Sequence, residues 1–265
     1  MLRTRLPHLA GLIVGLVVAA ALAWTSEVGR LIATLAFGLI LLTGILLGER
    51  TTPLPLADGV RTASLVRRRV RDYVPPWPAA GVFGLLCALV VMLVATNEAS
   101  TPGSRPINPD TMSSGPDDGR HISCVGADGL LQAGPWPGWY YGIPILATVA
   151  VAVVVALAVM RRIVTRPLVD TTTAAAEDYR RRSATTVTAA TGLVVAVPLA
   201  GAAYASHSAL GEALGCLDSL GTSAMGWLAT AGVIAVTAIV YYAALLLFPT
   251  RPGKTTRRMT ATTAG

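Results

Sequence analysis

Charge is scarce in this sequence, and its placement says more than its amount. Only 13% of residues are charged, against roughly 25% in soluble domains. Six apolar stretches, at about 7–24, 31–48, 79–96, 143–160, 187–205 and 224–248, have no Asp, Glu, Lys, Arg, His, Asn or Gln in their middles. An ionisable group at the centre of a bilayer costs roughly 2.5–3.5 kcal/mol on insertion scales, so such groups persist there for function. Their absence argues against a proton- or sodium-coupled pump with a midplane carboxylate relay. It argues equally against an intramembrane protease built on paired carboxylates, a His-bound zinc or a Ser–His couple. Haem held by His inside the bundle is excluded on the same ground, and no cofactor is expected.

Other residue types are thin as well. Lys254 is the one lysine among 21 basic residues, which reflects composition and carries no mechanism. Only three cysteines occur, Cys87, Cys124 and Cys216. A glycine-lysine-threonine run at Gly253 resembles the end of a phosphate loop, but Phe248 stands where the upstream glycine is required and no strand precedes it.

What remains is hydrophobic: 53% of the 265 residues. Uncharged stretches of about 20 residues are the signature of membrane-spanning helices. The fold class expected is therefore all-α, a polytopic membrane protein with six transmembrane helices in one bundle over residues 1–248. The tail, 249–265, is basic and Thr-rich and is expected to be disordered. The first stretch has a basic start and a small-residue Ala21-Leu22-Ala23 site, as a signal peptide has. Cleavage there would leave a chain starting only seven residues before the next span, so a first membrane helix is the reading adopted. Gly11 and Gly15 form a GxxxG on it, a spacing that lets two helices approach closely.

The arginines set the topology. RTASLVRRRVR, with Arg61, Arg67, Arg68, Arg69 and Arg71, lies between the second and third spans. Within that connection Val60, Ala63, Val66, Val70 and Tyr73 recur at helical spacing, giving a basic amphipathic helix that Asp58 caps and that Pro75, Pro76 and Pro78 end. A second cluster, Arg180, Arg181 and Arg182, follows the fourth span, with Glu177 and Asp178 placed to pair four residues on. Pro55-Leu56-Ala57-Asp58 before the first cluster echoes Pro167-Leu168-Val169-Asp170 before the second. Duplication and convergence on one stop signal both account for this. With both termini inside the cell, inner segments hold eighteen basic and six acidic residues, a net +12. Outer segments hold three basic and eight acidic residues, a net −5. Inverting the chain puts both arginine clusters outside, against the positive-inside rule. The same clustering beside apolar spans speaks for membrane orientation and against nucleic acid.

This topology places Cys124 and Cys216 outside, where disulfides persist, and a bridge between them is expected. Cys87 falls mid-span as a small packing residue. His121 and His207 with those two cysteines form an alternative metal set, but their spacings are ordinary. The long connection 97–138 is rich in Pro, Gly, Ser and Asp and is expected to be largely irregular, with Trp136, Trp139, Tyr140 and Tyr141 at the start of the next span. Pro198 is expected to kink the fifth span. Hydroxyls in the spans, among them Thr43, Thr148, Thr191, Thr230 and Thr237 with Tyr204 and Tyr241, are expected to bond their own or a neighbouring helix.

Three function classes are compatible with these features. One is a non-catalytic membrane subunit of a transport system, docking a cytoplasmic partner such as an ATPase through the basic helices. The next is a scaffold or sensor with disulfide-linked outer loops. The third is a surface enzyme using Asp117, Asp118 and His121, in a loop whose composition is simply solvated. The first is preferred and no enzyme is expected. Anionic lipid competes with a protein partner for the same arginines, each contributing about 1 kcal/mol.

Overall fold

The computed structural model describes residues 2–25, 33, 36–41, 43–45, 70–100, 104–108, 111–114, 120–126, 129–165, 173–213 and 219–248. Its body is helical: α1 (Leu2–Thr25), α2 (Ala36–Ile45), α3 (Pro76–Glu98), α4 (Trp139–Thr165), α5 (Thr173–Glu212) and α6 (Ser219–Leu247). Four of these contain segments long and apolar enough to cross a membrane: Pro76–Glu98, Trp139–Thr165, Glu177–Glu212 and Ser223–Leu247. They take up the expected third to sixth spans. The first two expected spans contain shorter described apolar stretches, Leu9–Leu22 and Ala36–Ile45.

The prolines before the third span open a helix as well as closing the connection. Pro76 begins α3 with Pro75 as its N-cap, which costs nothing because first-turn N–H groups have no intrahelical partner. Cys87 on α3 is exposed, so it lies on the outer face and does not fill the packing role expected of it.

The larger departure from expectation is α5. It runs unbroken for 40 residues, through the second arginine cluster, through Pro198 and into what was read as an outer loop. At 1.5 Å per residue this is about 60 Å, twice the roughly 30 Å hydrocarbon core. α5 is also the centre of the bundle. Its apolar window is 78% buried, against 17% for α6. α3, α4 and α6 all pack on it. The reason is residue size: Ala189, Ala190, Ala196, Ala202 and Ala203 are buried along it, and small side chains let backbones approach where lipid supplies no hydrophobic drive between helices. Its polar groups are internal too. Thr186, Thr188 and Thr191 donate to the carbonyls of Arg182, Ala184 and Val187 four residues back. Thr43, Thr148, Thr230 and Thr237 do the same on their own helices, as expected. The more hydrophobic helices turn Val151, Val154, Phe83, Val91 and Val233 outward, a surface that suits lipid.

Two glycines make room for one aromatic ring. Tyr242 of α6 is 2% exposed. Its Oη donates to the Pro78 carbonyl at 2.8 Å. A Cβ on Gly192 would lie 2.6 Å from three of its ring atoms, and one on Gly81 2.6 Å from its Oη. Tyr241, singled out from sequence, is exposed instead. The GxxxG of α1 is likewise a close approach. A Cβ on Gly11 would stand 3.1 Å from the Gly44 Cα, and one on Gly15 3.3 Å from the Phe37 ring. Gly38, also on α2, lies against Val194 of α5. Thus α2 sits between α1 and the central helix.

The connection between α3 and α4 is more ordered than expected. Strands β1 (Ser104–Asn108) and β2 (Thr111–Ser114) pair antiparallel, as do β3 (Ile122–Gly126) and β4 (Gly129–Ala133). The second hairpin is anchored: Ile122, Ala133 and Trp136 form a buried cluster with Ala209, Leu210 and Ala213 at the end of α5.

Candidate functional site

Two regions gather chemistry, one at each end of α5. At the basic end, Arg161 and Arg162 close α4 while Arg180, Arg181 and Arg182 ride the first turns of α5. Arg181 and Arg182 are exposed, whereas Arg180 is 1% exposed. Buried Ser183 and Ala184 follow it on the helix. The three arginines therefore do not form one equivalent patch, a distinction sequence spacing could not make. The expected Asp178–Arg182 pair forms at 2.6 Å; both members are partly exposed, so it contributes little to stability. Arg71 stands on a short 3-10 turn, Val70–Asp72, close to Asp72 at 3.8 Å, and this turn packs against α4. The described end of the first basic connection thus packs on α4, the helix that leads into the second. Arg61, Arg67, Arg68 and Arg69, the echo at Pro55, Asp117 and Asp118, Cys216 and the tail 249–265 lie outside the described residues.

At the opposite end a polar knot ties α3 to α4. The Trp136 indole Nε1–H donates to the Thr96 carbonyl at 2.6 Å, and the Thr96 hydroxyl donates to the Pro137 carbonyl at 2.7 Å. The Trp139 amide donates to the Asn97 side-chain oxygen at 3.2 Å. The Trp136 amide donates to the Arg120 carbonyl at 2.8 Å, and the Arg120 guanidinium lies 3.7 Å from the centre of the Tyr140 ring. Tyr140 meets Tyr141 edge-on at 5.0 Å. Trp136, one of the aromatics expected at the start of the fourth span, is buried against protein. A buried indole needs an acceptor, and here the end of the preceding helix supplies one.

Beside this knot lies a cavity of about 910 Å³. It is bounded by α1 and α2 on one side and by α4, α5 and α6 on the other. Leu12, Phe37, Leu193, Val197 and Ile239 are among the residues that line it, as are Tyr141, Tyr204 and Ser208. Sequence reasoning did not find this space, because its walls come from five helices far apart in the chain. Pro198, read as a kink, lines it too.

The sulfur and histidine residues are partly placed. Cys124 lies on β3 opposite Leu131 in register. Among the described residues no three of His, Cys, Asp and Glu come together as a metal site. No protein-family model matches the chain, and no curated protein or solved structure matches it either.

Proposed function

We propose that this is a multi-pass protein of the cell membrane, with six spans and both termini cytoplasmic, acting as a non-catalytic subunit of a transport system. Its basic end docks a cytoplasmic partner such as an ATPase. The observation that carries this reading is the continuity of α5. A helix of about 60 Å cannot be contained in a core of about 30 Å. Its arginine-bearing turns therefore stand clear of the lipid as a rigid extension of the most buried element in the bundle. A partner gripping Arg181 acts directly on the centre of the membrane domain.

Purification in mild detergent tests it. A soluble protein should accompany the chain in fixed stoichiometry, and Arg71→Glu with Arg181→Glu should release it while the variant stays folded. If no partner accompanies the wild-type chain, the arginines serve anionic lipid and the docking reading fails. A reporter fused after Phe248 should be active only in the cytoplasm.

A scaffold or sensor with linked outer loops is the second reading, favoured by the buried cluster holding Ile122 and Ala213 together. Cys124 is two residues from the first and Cys216 three from the second.

A further inference from the structure

We propose that bilayer lipid covers the outward faces of α3, α4 and α6 between two levels, one set by Trp77 and Phe248 and the other by Trp139 and Trp227, and that α5 projects mainly past the Trp77 level; this rests on the multi-pass reading and needs no docking partner. One length recurs on three helices. Trp227 on α6 and Phe248 at its end are both exposed. They stand 21 residues apart, about 32 Å at 1.5 Å per residue. Trp77, near the start of α3, is exposed as well. The Trp139 amide bonds the Asn97 side chain, and a Cβ on Gly142 would meet Leu93, so Trp139 is level with Asn97. Asn97 is 20 residues from Trp77, about 30 Å. On α4 the first charge after Trp139 is Arg161, about 33 Å along the helix. Each length matches the roughly 30 Å of a hydrocarbon core. Exposed indoles favour its two boundaries, where the ring meets acyl chains and the N–H meets water. Between the levels the outward residues include Phe83, Val91, Val154 and Val233, and no charge occurs on these segments.

Contacts carry both levels onto α5. Gly81 and Gly192 both meet the side chain of Tyr242, so the three lie at one height. Trp77 is four residues from Gly81, and Phe248 is six from Tyr242. The Trp77 level therefore crosses α5 near 186–188. Gly232 lies against Ala203, so Trp227, five residues on, is level with Ser208. The part of α5 between these heights is again about 30–33 Å long. What remains of the helix is divided unequally. Thr173 stands about 20 Å past the Trp77 level, whereas Glu212 stands about 6 Å past the Trp227 level. Glu177, Asp178, Arg181 and Arg182 all fall on the longer projection, outside the hydrocarbon, as charge requires. Cys87, exposed and ten residues from Trp77, is left near the midplane.

Depth-dependent quenching tests this. The full-length protein is reconstituted in phosphatidylcholine vesicles with bromine placed either near the ester groups or near the acyl ends. Trp136 is buried and is kept throughout as a constant background. Trp24, Trp77, Trp139 and Trp227 are replaced by Phe, and one indole at a time is restored or introduced at an exposed position. Trp77, Trp139, Trp227 and Phe248→Trp should be quenched more by the shallow bromine. Cys87→Trp and Val236→Trp, both near the midplane, should reverse that order. Glu177→Trp, about 15 Å past the Trp77 level, should be quenched by neither. Each level and the midplane has probes on two helices, so one variant that fails to fold leaves the other. If the boundary indoles are quenched most by the deep bromine, the levels are misplaced. If Glu177→Trp is quenched, α5 does not project there. If neither bromine quenches Cys87→Trp or Val236→Trp, lipid does not cover these helices, and the multi-pass reading falls with it. The absence of a cytoplasmic partner would change none of these values, so failure of the docking reading stays separate.

Discussion

Gly192→Ala is the most informative single change to the bundle. The added methyl would sit 2.6 Å from three Tyr242 ring atoms, closer than carbon atoms tolerate. The ring has little room to retreat: it is 2% exposed, and its hydroxyl is held by the Pro78 carbonyl at 2.8 Å with Gly81 against it. Overpacking of this kind costs about 1–3 kcal/mol. Loss of the hydroxyl bond adds about 0.5–1.5 kcal/mol if the ring is displaced. Replacing a helical glycine by alanine returns about 1 kcal/mol. The net expectation is a loss of roughly 1–3 kcal/mol, by the same principles. Gly84 on α3 supplies the control, because nothing lies within 4 Å of the Cβ it would gain. Gly84→Ala should be neutral or slightly stabilising. Both variants are compared with the parent by thermal unfolding in detergent, followed by helical circular dichroism. In a Tyr242→Ala background Gly192→Ala should instead stabilise by about 1 kcal/mol, because the clash has been removed; the cycle should return a coupling of about 2–4 kcal/mol. Equal melting of Gly192→Ala and Gly84→Ala would refute the proposed fit of the ring between α5 and α3.

Three further outcomes are expected. Gly11→Leu should separate α1 from α2, since even a methyl there would lie 3.1 Å from the Gly44 backbone; a cysteine pair engineered across that contact should crosslink in the parent and fail in the variant. Trp136→Phe leaves the Thr96 carbonyl without its 2.6 Å donor and should cost about 1–3 kcal/mol in the same unfolding assay, whereas Trp227→Phe, at an exposed position, should cost almost nothing. Denatured protein should take up one thiol-reactive mass tag without reductant and three after reduction, the first on Cys87; three tags before reduction would show that Cys124 and Cys216 are not bridged.

The uncharged stretches marked four long apolar helices before any coordinates did. Each of the four long helices contains an expected span, because a bilayer's thickness and intolerance of charge leave a strong mark on the chain. The hydroxyl expectation also held for Thr148, Thr191, Thr230 and Thr237, since bonding the carbonyl four residues back is a local matter. Local reasoning failed where a boundary depends on neighbours. The basic turns before residue 187 were read as a separate connection, yet they continue α5, because helical geometry can persist through Arg180 once its side chain is buried in the bundle. Similarly, the stretch between α3 and α4 looked irregular by composition, and its second hairpin is ordered by packing on α5.

The sequence by itself determined where the chain is apolar enough to cross lipid, where charge stops it, and that Gly11 and Gly15 permit a close helix contact. Those properties follow from transfer energies and spacings along one chain. Only the tertiary structure decided that the least apolar of the long helices is the central one, that Tyr242 and not Tyr241 is buried, that Arg180 differs from Arg181 and Arg182, and that five helices line a half-open cavity. In a bundle whose outer surface is as hydrophobic as its interior, hydropathy cannot distinguish inside from outside. That assignment is made by size and shape, through the alanines and glycines that let α5 lie closest to its neighbours.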